Sequence, residues 1–334
     1  MNKKRLLKKV GMMFLATVLL AGCGGKGGKA PAAGGAKKAA VKWPTKNVTV
    51  ILPYNAGGDT DTYCRLMAKK LGEKYKQNFV VVNMTGGSGI VAAKTVMAAK
   101  PDGYNILFNH TGASLVQEAT GVADFSYTDG FANVATIAQD NSYVVCVKKT
   151  SGWKDLKEFV AYCKANPGKV RFSNVYGSIN HYLAAQMEET MGISMDKLDV
   201  GTGASERLAA FMGNQVDVYA ANFLNVRDYV EKGDFIVLGV CSAKPVPGME
   251  KFKTFTEQGY KIVVSKNYEV KLPKGTNQAI IDELANEIKV ITADADFKAT
   301  LAKYYAQPEF RDAATMGKDD KAEVEALKKY FAKK

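Results

Sequence analysis

The stretch from Val48 to Phe108 constrains this chain more than any other. Residues 48–53 (VTVILP) read as a strand, and 54–61 (YNAGGDTD) as a glycine turn opening a helix that reaches about Tyr75. Residues 79–83 (FVVVN) read as a second strand, 85–89 (TGGSG) as a second glycine turn, and the helix after it ends near Ala99. The turn 101–104 (PDGY) leads into a third strand at 105–108 (NILF). Short apolar runs alternating with helical periods predict parallel strands joined by helices. Both glycine turns then lie at one edge of one sheet, each opening a helix. Helix N-termini carry unpaired N–H groups and partial positive charge, so such an edge is suited to hold an anion.

The N-terminus predicts a targeting segment. Lys3, Lys4, Arg5, Lys8 and Lys9 form a basic head, and the apolar run 10–20 is too short to span a bilayer. Residues 20–23 (LAGC) follow and resemble a bacterial lipoprotein cleavage site, which makes 1–23 a signal and Cys23 the acylated first residue of the mature chain. The alternative is an ordinary cleaved signal with an incidental cysteine. Residues 24–43 are rich in Gly, Ala and Lys and predict a flexible tether. Such a chain is extracytoplasmic and anchored by lipid to the cell membrane.

Charge and cysteines narrow the function. The chain carries +13, but residues 1–41 hold nine Lys and Arg and no acid, which leaves +4 on the body. The basic excess therefore belongs largely to the leader and does not argue for nucleic acid. Cys64, Cys146, Cys163 and Cys241 sit in apolar patterns and predict buried free thiols; a Cys146–Cys241 bridge is the alternative. His110 and His181 are the only histidines, with no metal-ligand spacing, so neither metal nor cofactor is expected.

The body reads as an α/β protein with mainly parallel sheet. Apolar stripes at Tyr63, Met67 and Leu71, at Leu156, Phe159, Val160 and Cys163, at Ile280, Ile281, Leu284, Ile288 and Ile291, and at Val324, Leu327 and Phe331 predict core-facing helices. Runs at 133–138, 143–147 and 235–241 read as strands crossing between lobes. The expected organisation is a discontinuous first lobe (44–139 and 245–334) and an inserted second lobe (140–244), with a ligand cleft between them. The second lobe repeats the logic of the first. Strand 170–174 enters the turn 175–181 (VYGSINH), turn 200–206 (VGTGASE) opens another helix, and strand 216–222 ends at the cleft edge. Four Gly, Ser and Thr turns are thus expected to face one gap.

These residues resemble the extracytoplasmic solute receptors of tripartite tricarboxylate transporters, the Bug family. The similarity rests on 53–58 (PYNAGG) with Asp61, Asn83 before 86–89 (GGSG), 101–104 (PDGY), Gly177 and Ser178 with His181, 213–217 (GNQVD), and 254–259 (TFTEQG), in order from Trp43 onward. The resemblance implies a two-lobed periplasmic-binding-protein-like fold, type II-like, that closes on a small carboxylate-bearing solute. It implies delivery to a permease of one large and one small integral subunit. It also implies that amides and hydroxyls of the first two turns hold a ligand carboxylate while the second lobe adds polar contacts. The chain departs from the family pattern as we know it at Asp59, where Ser or Thr is usual, at Met84-Thr85 for Arg-Pro, and at 201–203 (GTG) for Pro-Tyr-x-Gly. A carboxylate at 59 would repel an anion or pair with an amine on the ligand.

The candidate contacts are Tyr54, Ala56, Gly57, Gly58, Asp59, Thr60 and Asp61 in the first turn and Gly86, Gly87, Ser88 and Gly89 in the second. Thr111, Ser173, Gly177, Ser178, His181, Gly203, Ala204 and Asn222 complete the set. Each has a bland alternative: Asp61 as a helix-start acid, His181 as packing or a cap, the glycines as tight turns. The expected ligand is a small organic acid, whether di- or tricarboxylate, amino acid or aromatic acid, and the expected body is a monomer. An enzyme on the same fold is disfavoured. The second turn lacks the P-loop lysine, the first lacks a dinucleotide fingerprint, and Gly-x-Ser-x-Gly does not occur. A ligand-sensing receptor for a signalling partner is the remaining alternative.

Overall fold

A computed structural model describes residues 42–201 and 203–332. The signal, Cys23 and most of the tether lie outside the described residues. In chain order the elements are β1 (Val48–Leu52), α1 (Asp59–Tyr75), β2 (Phe79–Asn83), α2 (Ile90–Met97), β3 (Asn105–His110), α3 (Thr111–Thr120), β4 (Phe131–Asp140), β5 (Tyr143–Lys148), α4 (Leu156–Ala165), β6 (Arg171–Asn174) and α5 (Ile179–Met191). They continue with β7 (Asp196–Asp199), α6 (Ala204–Met212), β8 (Val218–Asn222), α7 (Arg227–Lys232), β9 (Phe235–Val240), β10 (Lys266–Pro273), α8 (Gln278–Ala293), α9 (Ala295–Lys303), β11 (Ala306–Asp312) and α10 (Ala313–Phe331).

The strands form two sheets. The first runs β11-β4-β10-β3-β1-β2 and the second β7-β6-β8-β5-β9. The expected βαβ units are present, with β1 parallel to both β2 and β3. The mainly parallel expectation is corrected, because β10 runs antiparallel to β3 and β4, and β5 runs antiparallel to β8 and β9. A chain that leaves one sheet and later returns need not re-enter in the direction of its neighbours. The passage outward falls between Asp140 and Tyr143, and the return comes at Lys266. Residues 245–265, expected with the first lobe, pack instead on the second sheet. Phe255 N–H donates to the Val240 carbonyl at 2.9 Å, Val264 N–H to that of Cys241 at 2.9 Å, and Phe255, Ile262 and Val264 join the second sheet's core.

Period-two alternation divides each sheet's side chains between two helical layers. Val50, Leu52, Ile106 and Phe108 face α1 and α8, while Ile51 and Leu107 face the α2 side. The helical stripes fall where the pattern placed them. Tyr63, Met67, Leu71, Leu284 and Ile288 are fully buried, as are Phe159 and Cys163 in the second core, and Val324 and Leu327 of α10 pack on Leu115 and Val116 of α3. Burying such side chains contributes roughly 1.5–3 kcal/mol each and drives assembly of both layers. The four cysteines among the described residues are free and buried, so the 146–241 bridge does not form. Among the described residues no helix is long and apolar enough to cross a membrane.

Candidate functional site

The two sheets face each other across a cavity of about 320 Å³ whose walls come from both. Four helices begin at it: α1 with Gly58, Asp59 and Thr60, α3 with Gly112 and Ala113, α5 with Ser178, Ile179 and Asn180, and α6 with Gly203, Ala204 and Ser205. Each follows a strand or turn whose last residue is extended, as at Gly58, His110, Ser178 and Gly203. An extended residue before the first helical turn leaves that turn's N–H groups pointing forward, toward the cavity.

The second glycine turn shapes the wall beside α1. Gly86 has φ +124°, and a Cβ there would come within 2.9 Å of Val91 Cγ2, so only glycine fits. Ser88 takes a left-handed conformation at φ 53°, and its carbonyl accepts from Gln117 Nε2 at 2.8 Å, which fixes the turn to α3.

Electrostatically the site centres on a buried ion pair. Lys266, the first residue of β10, pairs with Asp59, and the Tyr268 hydroxyl donates to the same carboxylate at 2.6 Å. Burial opposes ionisation of Asp59, but the Lys266 charge and the two hydrogen bonds outweigh it and hold the carboxyl well below its usual range. His110 stacks on Tyr54 with ring centroids 4.7 Å apart, and burial, aided by the Lys266 charge, pushes its pKa down to about 3. It is therefore neutral at physiological pH. On the second sheet, Tyr143 donates its hydroxyl to Asn180, whose Nδ2 donates to the Ser173 carbonyl at 3.1 Å. Asn222 Nδ2 donates to Asp140, which also accepts from the Ser142 N–H at 2.8 Å. Ser178 caps α5 by accepting from Asn180 N–H at 3.1 Å, and Glu206 folds back to accept from Gly203 N–H at 3.1 Å.

Of the residues singled out in the sequence, Tyr54, Ala56, Gly58, Asp59, Thr60, Gly86, Ser88, Ser178, Gly203, Ala204 and Asn222 line the cavity. The others lie behind or beside its wall. Asp61 accepts from Gly57 N–H at 3.0 Å, Arg65 Nε at 2.9 Å and Asn83 Nδ2 at 2.9 Å, so it braces the first turn. Gly57, Gly87 and Gly89 bend the two turns at positive φ. Thr111 accepts from Asn267 N–H at 3.1 Å, and Ser173 is fully buried in β6. At Gly177 a Cβ would meet Val122 at 2.8 Å, a close approach between the halves. His181 stacks on Phe331 at 5.0 Å and packs on Tyr176.

Sequence reasoning missed Asn55, Tyr143, Asn180, Arg207 and Lys266 as lining residues. Asn55 and Asn180 lie inside turns already singled out and Arg207 one position beyond another, so the motifs themselves pointed there. Lys266 carried no local signal.

With the geometry in place, comparison with known proteins identifies the family. Residues 63–329 match the family described as "TctC: Tripartite tricarboxylate transporter family receptor". The chain belongs to the tripartite tricarboxylate transporter receptors. Among curated relatives, the "UPF0065 protein in gbd 5'region" of Cupriavidus necator is 27% identical, the alignment covering 87% of this chain and 90% of the relative. Protein BugT of Bordetella pertussis is 26% identical over 84% of this chain and 82% of its own. The fold matches that of the periplasmic binding protein BugD with a TM-score of 0.79 at 24% identity, covering 87% of this chain and 98% of that one. MatC from Rhodopseudomonas palustris, solved with malate bound, superposes with a TM-score of 0.78 at 21% identity over 86% and 99% of the two chains. The R. palustris protein Rpa4515, solved with adipate, gives 0.79 at 24% identity over 86% and 97%. This receptor therefore has the two-lobed periplasmic-binding-protein-like fold.

Proposed function

We propose that this receptor captures a small carboxylate-bearing solute in the cavity between its sheets. It hands that solute to a tripartite tricarboxylate-type permease of one large and one small membrane subunit, outside the cytoplasm. The observation that carries the reading is the convergence of four helix starts, two from each sheet, on one cavity. Backbone N–H groups stabilise an anion without a full cation at each contact, and each charge-assisted hydrogen bond contributes roughly 1.5–3 kcal/mol. Three or four of them, less the cost of immobilising the solute, give about micromolar affinity, which suits a receptor that must release its cargo. The malate and adipate held by MatC and Rpa4515 support the same solute class. Lipid on Cys23 would keep the receptor near its permease.

The direct test is calorimetry with a panel of small organic acids on wild type and Gly58→Asp. Gly58 has φ −82°, and the nearest atom to a Cβ there is 3.9 Å away, so aspartate fits the fold. Its side chain fills space at the α1 start that the solute would occupy, and affinity for the acid that binds wild type is expected to fall at least about tenfold. Unchanged affinity would remove the first turn from the site.

A further inference from the structure

The charged side chains of the cavity do not suit a doubly negative solute. Its lining contains two acids, Asp59 and Glu206, and two bases, Arg207 and Lys266, so their formal charges cancel. His110 adds none, being neutral. The helix starts are also unequal. Asp59 stands in the first turn of α1 and Glu206 in that of α6, where its carboxylate already accepts from Gly203 N–H. An acid in the first turn offsets the positive end of its own helix. The starts of α3 and α5 have no acid in the first turn. The α3 and α5 starts therefore keep their positive ends, while Asp59 offers a carboxylate elsewhere in the lining.

That carboxylate is arranged to take another donor. Both protein donors, Lys266 Nζ and the Tyr268 hydroxyl, reach Oδ2, which fixes the group while Oδ1 carries neither. The Asp59 side chain keeps 14% of its surface accessible, against 6% for Lys266, so the acid of the pair is the more open to the cavity. A carboxylate accepts several hydrogen bonds at once, and one held ionised by a buried cation favours a positively charged donor.

Resting on the proposed carboxylate-receptor reading, we infer that the solute is a zwitterion, an amino acid. Its ammonium group is held by Asp59 Oδ1, and its carboxylate by the N–H groups at the starts of α3 and α5. Lys266 positions Asp59 and does not neutralise the solute. Asp59 then sets specificity: it disfavours acids that lack an amine, because they bring no donor to its carboxylate, and a second carboxylate on the solute would be repelled by it.

The test is calorimetry with matched pairs, L-leucine against 4-methylpentanoate and L-glutamate against glutarate, on wild type, Asp59→Asn and Asp59→Asn/Lys266→Met. The double variant removes both buried charges, so a reading survives if the single variant fails to fold. Wild type is expected to prefer at least one amino acid over its amine-free partner by more than about tenfold, and both variants to lose that preference. Tighter binding of the amine-free acids by wild type overturns the inference and leaves the carboxylate-receptor reading standing. So does an equal loss for both members of a pair in the variants. If no compound of the pairs or of the wider acid panel binds, the receptor reading itself fails.

Discussion

Asp140 shows how this cleft stores charge at the level of one residue. It is 1% exposed, and burial raises its pKa to about 6, the Lys266 charge and the Ser142 hydrogen bonds offsetting only part of that cost. The folded state holds this proton more tightly than the unfolded chain, in which an aspartate titrates near 4. Below pH of about 4 both states are protonated and Asp140 costs nothing. Between roughly 4 and 6 its contribution to stability falls as pH rises, and above that the full cost of about 3 kcal/mol remains. Asp140→Asn has no such titration. Urea unfolding of both proteins at pH of about 4 and about 7.5 should show the difference moving in the variant's favour at the higher pH. A difference independent of pH would contradict the argument. The sequence marked Asn222 at a strand end; that its amide reaches Asp140 depends on the side-by-side placement of the crossing strands.

At the scale of elements, β10 is a strand that the sequence analysis left out, as it left out β7 and β11. Tyr268, Val270 and Leu272 alternate with Asn267, Glu269 and Lys271, a strand period that by itself implies one solvated face, yet all eight residues are buried, so the pattern gives no sign that the polar face is covered. Its lysines meet acids on elements far away in the chain, and Lys271 also meets Glu269 of its own strand. Lys266 pairs with Asp59 of α1, and Lys271 lies 3.2 Å from Glu269 and 3.1 Å from Asp320 of α10. Breaking a buried pair by removing one partner leaves the other uncompensated, at about 3–5 kcal/mol. Lys271→Met is therefore expected to lower the unfolding free energy, read from urea denaturation, by an amount in that range, and a loss below about 1 kcal/mol would mean the acids take up protons without strain. By contrast β2 was found with its bounds, because 79–82 is an apolar run with three consecutive valines, and the glycine turn after it punctuates it.

For the whole molecule, the two sheets are joined at the 141–142 passage and at the long return that ends at Lys266. A third tie comes from α10, which packs on α3 and places Tyr330 and Phe331 against Tyr182 and His181 of α5, at 5.1 Å and 5.0 Å between rings. His181 thus belongs to the contact between the halves, where its sequence neighbourhood had suggested the solute. Beyond the body, acylation of Cys23 as proposed would anchor the receptor, and a Gly-, Ala- and Lys-rich sequence after it is of the composition that gives such an anchor reach. In membrane fractions of cells expressing the full chain, Cys23→Ser is expected to shift the protein into the soluble fraction. Retention in the membrane would reject acylation at that residue.

The sequence by itself determined the strand–turn–helix units, the helical faces that become core and the glycine corners at one sheet edge, because those follow from local backbone sterics and the period of apolar residues. Only the tertiary structure decided which strands run antiparallel, that residues 245–265 belong with the second sheet, and that Lys266 enters the cavity to face Asp59. A charge is tolerated inside a protein only where a partner meets it, and that partner stands 207 positions away in the chain.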